Sequence, residues 1–375
     1  MTYGSVAIDQ IVTSVANTSL GAGNASIMKN RLINGAMVIA QRTTSSQTIS
    51  TTAVFPVDRF GVNSNITTGS TTIQSSTVPT GQGFVNSSLV TIGTGATPVS
   101  NDYFRFRQLI EGYNVADLGW GTASAKTVTV SFWVRSSLTG NFGFGFQSTD
   151  SGYGTSYTIN SANTWEYKTI TVTGATGGTW ATDNSNGLSV LWDLGEGPSR
   201  CAATSNTWSY SATACGLSGG VKLAATSGAT FYITGVQLEV GSSATGFEYV
   251  NYQTSLANCQ RYYETSYNLG IAVGSSGQGN TGQILYIGTG NVVGSGDKLP
   301  NTTFMVTKRT SPTISTWSPN GTANTLANMA GTDLTTNSCT PNVSFYKGFF
   351  AYNATSSVSG TNGCVQFQWA ASAEL

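Results

Sequence analysis

Along most of the chain, apolar and polar positions alternate one by one over short runs, and turn-forming residues close each run. In TVTVSFWVRSS, Val128, Val130, Phe132 and Val134 fall on one face of an extended strand. Thr127, Thr129, Ser131, Trp133 and Arg135 fall on the other. A period of two is the mark of a strand with one buried face. NFGFGFQS repeats it, with Phe142, Phe144 and Phe146 on one side and small residues opposite; WEYKTITV, GLSVLWDLG and ATFYITGVQLEVG read alike. Clusters such as VTGATGGT and SSATG separate these runs with turn chemistry. Roughly eight strands in residues 51–250 predict a jelly roll or a related two-sheet sandwich. FRQLIEGYNVADL interrupts them as a predicted helix, weakened by Gly112.

The flanks read differently. Residues 1–50 hold one short helix-or-strand candidate at 6–15 and then RLINGAMVIAQR, where Asn34-Gly35 predicts a two-residue turn between short strands. So few strands cannot bury a core, and this segment is expected to be an arm held against another chain. Residues 251–264, NYQTSLANCQRYYE, predict a helical connector with Ser255 as cap and Glu264 near its end. Residues 265–375 return to strand-length, aromatic-rich runs: NLGIAVG, GQILYIG, TTFMVTK, PTISTWS, NVSFYKGFFAY and CVQFQWAAS. They predict a second, smaller β-sandwich. No repeat of about 20 to 50 residues is visible, which excludes propellers and solenoids. The expected fold is all-β: an arm, a jelly-roll β-sandwich, a helical connector and a C-terminal β-sandwich.

Composition sharpens the picture. The 375 residues carry 16 Lys+Arg and 16 Asp+Glu, a net charge of zero, and only 9% charged residues. A polyanion partner held by bulk electrostatics is thereby excluded, so no nucleic acid is expected. With 39% hydrophobic and 11% aromatic residues the chain is not of the disordered class. A surface of Thr, Ser, Asn and Gly suits tight repeating assembly, in which buried charge is costly. The N-terminus lacks the pattern of a signal peptide, and no window approaches the ~18 apolar residues of a membrane span, so no membrane is expected either.

The chain has no histidine, so neither a Ser-His-Asp nor a Cys-His arrangement exists and no catalytic residue is expected. Paired carboxylates remain: Glu111 with Asp117, and Asp193 with Glu196. A glycosidase needs two of them facing across a sugar, ~5 to 9.5 Å apart. Asp193 and Glu196 lie between a strand and a Gly-Pro turn, where acids commonly bond backbone donors. Glycine strings such as VGSSGQGNTG do not match a phosphate loop. Five cysteines leave at least one unpaired within the chain; Cys201 and Cys215 bracket a loop that a disulfide can pin, simple thiols being the other reading. Without histidine or a CxxC pair, no structural zinc site is expected. Tyr153, Trp180, Trp208 and Tyr210 lie in or beside turns, and ring faces stack on pyranoses, so these four are the candidate glycan contacts, unless they seal loop bases or a subunit interface.

Four stretches carry a family resemblance: NRLINGAMVIAQR, YFRFRQLIEGYNVADLGWGTASAKTVTVSFWVRSSLTG, INSANTWEYKTITVTG and GATFYITGVQLEVGSSATGFEYVNYQTSLANCQRYYE. In this order, spanning residues 30–264, they are similar to a set recurring in tail-fibre and other fibre-like proteins of tailed bacteriophages. Relatives often carry Trp where this chain has Phe60, and Pro where it has Gly246. The resemblance implies a central jelly roll like those of carbohydrate-binding modules, in a virion structural protein assembled in the host cytoplasm. The tail-fibre and the head-fibre (capsid decoration) subunit both fit. It also implies a homotrimer, an arm that grips other virion proteins, and adhesion to host surface polysaccharide. No cofactor is expected; calcium at Asp58, Asp150 or Glu239 follows only by analogy to carbohydrate-binding modules. The alternatives are a glycan-degrading tailspike, a capsid cement protein without adhesive role, and a secreted adhesin.

Overall fold

The computed structural model describes residues 29–210, 214–277, 283–286, 296, 298–299, 301–328, 330–353 and 364–375. Thirteen strands build the first module: β1 Gln47–Thr48, β2 Val54–Val57, β3 Phe60–Ser64, β4 Thr71–Ser75, β5 Ser87–Thr91, β6 Phe104–Glu111, β7 Val128–Ser136, β8 Gly140–Gln147, β9 Gly152–Ile159, β10 Glu166–Val172, β11 Asn186–Asp193, β12 Trp208–Ser209 and β13 Thr230–Val240. They form two antiparallel sheets, one ordered β1-β4-β5-β13-β7-β10 and the other β12-β9-β8-β11-β6-β3-β2. The alternation in β7 and β8 is kept in full: Val128, Val130, Phe132, Val134, Phe142, Phe144 and Phe146 are all buried. Between the sheets Trp192 is met edge-on by Phe106, Phe132 and Phe144 at 5.7, 5.4 and 5.3 Å. Each such buried ring stabilises the sandwich by about 2 kcal/mol through the water it sheds. The protein is an all-β jelly-roll sandwich, as the patterning predicts.

Several local expectations are corrected. The predicted helix at FRQLIEGYNVADL is strand β6, followed by two short 3-10 turns at Gly112–Asn114 and Ala116–Leu118. Phe104, Phe106 and Ile110 point inward, while Arg105 and Glu111 are buried on the opposite face. The candidate at residues 6–15 lies outside the described residues. Residues 29–50 are no free arm, because Leu32, Met37 and Ile39 are buried in the module. Asn34 and Gly35 do turn the chain, Asn34 at φ 62°, but no strands flank them. Instead the Asn34 side chain donates to the carbonyls of Ile39 and Asp58 and accepts from the amides of Val38 and Ile39, each at 3.0 Å. A Cβ on Gly35 would lie 2.0 Å from the Val236 carbonyl oxygen, so only glycine fits this close approach. NLGIAVG forms no strand.

The connector is helix α1, Tyr252–Gln260, capped by Asn251, whose side chain accepts from the Gln253 amide, and not by Ser255, which lies within it. Glu264 sits beyond the helix in β14, Tyr263–Thr265. The C-terminal module continues with β15 Gln283–Tyr286, β16 Thr302–Thr303, β17 Thr313–Trp317, β18 Thr325–Asn328, β19 Asp333–Phe345, β20 Gly348–Asn353 and β21 Cys364–Ser372. β21 pairs with β14, β15, β17 and β18. A separate core gathers Leu326, Phe349, Phe367 and Trp369.

Charged residues collect where this module meets the sandwich. The Glu111 carboxylate, on the outer face of β6, accepts from Arg261 Nε (2.9 Å) and from the Tyr262 hydroxyl (2.8 Å). Arg42 stacks on Tyr263 at 3.7 Å and bonds Asp58 (3.0 Å) and Glu374 (2.9 Å). Arg59 lies 3.5 Å above the Tyr262 ring and also pairs with Glu374. Burial alone pulls the Arg42 guanidinium down, but Glu374 and Asp58 outweigh it and hold it above its ordinary value. Burial pushes the hydroxyls of Tyr262 and Tyr263 up to about 12. Removing Glu111 leaves the buried Tyr262 hydroxyl without its acceptor and the partly exposed Arg261 without its partner. Glu111→Ala is therefore expected to cost about 2 kcal/mol at the junction. Differential scanning calorimetry should show one transition in the parent chain and two in the variant.

Candidate functional site

The four aromatics predicted as contacts do not form a binding face. Tyr153 is buried, and Trp208 packs on it at 5.0 Å. Trp120 meets Trp180 at 4.9 Å and Trp208 at 5.2 Å, and Phe146 stacks on Trp208 at 6.3 Å. Both outer indoles are tied to backbone, Trp180 Nε1 to Gly177 and Trp208 Nε1 to Thr173, each at 2.9 Å. Tyr210 is 41% exposed, but its ring lies over Gly177 and its hydroxyl accepts from the Thr176 amide. The structure brings these rings together as a plug closing one end of the sandwich. Cys201 and Cys215 are free thiols, and burial pushes both above the usual thiol range.

The carboxylate pairs are likewise engaged. Asp193 accepts from the amides of Gly195 (3.0 Å), Glu196 (2.7 Å) and Leu217 (2.9 Å) and from Lys222, which is the backbone-bonding role its position suggests. Glu196 is buried against Arg105, whose Nη2 donates to it at 2.9 Å. The Arg105 Nε lies 2.7 Å from the other carboxylate oxygen but is not aligned for a hydrogen bond. Burial, opposed by Arg105, raises Glu196 to about 7. Glu111 is held by Arg261, and Asp117 by Arg31 on the surface.

Each of the three calcium candidates is bonded by protein groups. Asp58 is neutralised by Arg42, Glu239 is bonded by Gln237 and Thr245, and Asp150 accepts from Ser151 and the Thr179 amide. Those bonds, the Thr179 amide first, hold Asp150 down at about 2. Among the described residues no three metal-ligating acids, cysteines or histidines gather.

The arrangement suited to a ligand lies on the outer face of the six-stranded sheet. Trp133 is the aromatic on the polar side of β7, and in register beside it stand Tyr167 of β10 and Thr234 of β13. The Trp133 and Tyr167 rings are 5.4 Å apart and inclined by 47°. After Thr234 a bulge shifts the register of β13, so that Gln237 pairs with Ser131. Gly235 in that bulge has φ 61°, and a Cβ there would meet the Phe84 ring at 2.6 Å. Glycine thus lets Phe84 lie against the sheet.

The chain leaving β13 then crosses the same face. It is held by Glu239, which accepts from the Thr245 amide (2.8 Å), and by Gln237, which accepts from the Glu248 amide (2.8 Å). It carries Phe247 and Tyr249, which close a triangle of rings with Phe84 at 5.0 to 5.6 Å. At Gly246 a Cβ would meet no atom within 4 Å, so packing does not constrain the residue there. Between this wall and the Trp133–Tyr167 pair runs an open cleft of about 500 Å³, with Gln82, Ser131 and Thr245 as hydrogen-bonding groups and no charged lining residue. Rings with polar neighbours in a cleft are what a sugar face requires. The sequence signal for this site is a Trp on the polar face of an alternating strand.

No protein-family profile matches the chain, and no curated protein matches it in sequence. Among solved structures, the enzymatically active domain of tailspike protein 4 from bacteriophage CBA120 is 12% identical, with a TM-score of 0.31 over 57% of this chain and 22% of that one. This chain thus spans under a quarter of the tailspike chain. A family 11 carbohydrate-binding module from Clostridium thermocellum, solved with a β-1,3-1,4-mixed-linked tetrasaccharide, is 14% identical, with a TM-score of 0.26 over 49% of this chain and 89% of its own. The N-terminal cellulose-binding domain of Cellulomonas fimi β-1,4-glucanase C is 10% identical, with a TM-score of 0.19 over 42% and 80%. At such scores these likenesses say nothing of ligand or activity.

Two outcomes follow from the plug and from Glu196. Trp208→Ala should destabilise the sandwich by about 3 kcal/mol in urea denaturation, since it opens a cavity among packed rings. Glu196 takes its proton more readily folded than unfolded, so its share of stability is full at low pH. That share falls as pH rises from 4.5 to about 7, by roughly 3 kcal/mol. Glu196→Gln should flatten the melting temperature across that window; an unchanged slope would assign it to other groups.

Proposed function

We propose that the chain is a non-enzymatic structural subunit of a tailed-phage virion, a tail fibre or head fibre, that holds host surface polysaccharide on the outer face of its six-stranded sheet. The observation that carries the adhesive part is the Trp133–Tyr167 pair beside Ser131 in an open, uncharged cleft. Two inclined rings offer apolar faces to a pyranose, and the hydroxyl and amide neighbours can bond its oxygens. The virion part is supported by the ordered resemblance over residues 30–264. The non-enzymatic part is supported by the lack of histidine and by carboxylates bound up in ion pairs and backbone bonds.

In this reading the subunit is a homotrimer, and attachment to other virion proteins falls to residues 1–28, since 29–50 belong to the sandwich. One cleft binds weakly, and three per fibre multiply the affinity through effective concentration.

A glycan microarray of bacterial surface polysaccharides tests the reading directly. Trp133→Ala with Tyr167→Ala should lower binding by at least about tenfold, the loss of one or two stacking contacts, while the melting temperature stays unchanged. Retained binding by that folded double variant would reject the sheet as the site.

A further inference from the structure

The cleft does not stop at its aromatic wall. Phe84, Phe247 and Tyr249 line it on one side and, on their other side, a second cleft of about 160 Å³ that reaches Gly35 and Val38. This second cleft shares Asn30, Leu32 and Val250 with a third, of about 290 Å³, between Tyr113 and helix α1. Tyr249 is the divide between the first two; it is 58% exposed, and its hydroxyl is fixed by donation to the Gln82 carbonyl. Beyond it stand two more exposed rings, Tyr252 at 50% and Tyr113 at 64%. Three exposed rings, Tyr249, Tyr252 and Tyr113, thus gather along clefts that share lining residues, and they are not scattered singly over the surface.

Charge along that line is sparse and favours no anion. Arg31 is paired with Asp117 at 2.8 Å, and the Glu248 carboxylate, which lines the second and third clefts, accepts from the neutral Asn30 amide at 2.8 Å. Tyrosine hydroxyls and the side chains of Thr254 and Asn258 supply the remaining polar groups. Such a lining has nothing to offer an acidic glycan beyond what it offers a neutral one. Three open clefts in series also lack the closed end that would grip a chain terminus.

We infer that the three clefts form one path and that its ligand is an internal stretch of a long, uncharged polysaccharide, which crosses Tyr249 from the sheet to the Tyr113–Tyr252 side. This deepens the sheet-groove reading and rests on it. A short fragment occupies only the Trp133–Tyr167 end, and a long one adds the contacts beyond the divide.

The test titrates the full chain by calorimetry with dextran, pullulan, galactan, mixed-linkage β-glucan and neutral bacterial O-chains. Each is used whole and as tri-, hexa- and dodecasaccharide fragments. Affinity should rise with length by about tenfold or more past the hexasaccharide, as extra rings engage. Tyr113→Ala with Tyr252→Ala should erase that rise and leave trisaccharide binding untouched, whereas Trp133→Ala with Tyr167→Ala should remove both. Length-independent binding that still needs Trp133 and Tyr167 would overturn the path and spare the sheet groove. Binding of none of these glycans would overturn both. If Tyr113→Ala with Tyr252→Ala instead lowers the oligomer mass in mass photometry, the face is a subunit interface and the path is rejected.

Discussion

A buried carboxylate is costly unless donors surround it, and Glu111 finds its donors across the module boundary, in Arg261 and Tyr262. That single requirement shapes much of the molecule. It draws the end of α1 onto the outer face of β6, and the rings of Tyr262 and Tyr263 then become the floor on which Arg59 and Arg42 stack. Those guanidiniums in turn hold Glu374 from the far end of the chain. The connector is thus clamped on both sides, and a chain poor in charge concentrates it where the two cores meet.

The two sheets of the sandwich consequently face different worlds. The outer side of the seven-stranded sheet is covered at one end by this junction and at the other by the segment around Cys215, which passes so close that a Cβ on Gly145 would meet the Cys215 carbonyl oxygen at 2.3 Å. Among the described residues, the outer side of the six-stranded sheet is crossed by the segment that follows β13 and by the one that carries Phe84, and together these make one wall of a cleft without filling it. Ligand access is a by-product of which sheet the long connections choose to cover.

Inner faces are readable in the sequence and outer ones are not. Alternation places Val128 to Val134 and Phe142 to Phe146 correctly, because burial between two sheets follows a local period of two. The same period runs through Phe104 to Glu111, but Arg105 and Glu111 look solvated until their partners Glu196 and Arg261 are known, and these lie 91 and 150 residues away. Local pattern cannot show that. For the same reason Trp180 and Trp208 read as exposed loop rings, when the fold closes them over Trp120. Trp133 is legible as an aromatic on a polar face, yet whether that face is open or covered is decided by connections far along the chain. The Asn34-Gly35 turn is legible and its setting is not, since it serves a side-chain cap and a tight contact with Val236.

The placement of charge has a consequence for the surroundings the protein tolerates. Of the ten ion pairs found among the described residues, eight keep the carboxylate at 14% exposure or less. Mobile ions screen exposed charges beyond about 10 Å at moderate ionic strength but barely reach buried pairs. The cleft, lined by rings and neutral dipoles, has no Coulombic attraction for salt to weaken. Dilution and moderate salt therefore find little exposed charge to act on in this fold or in this cleft.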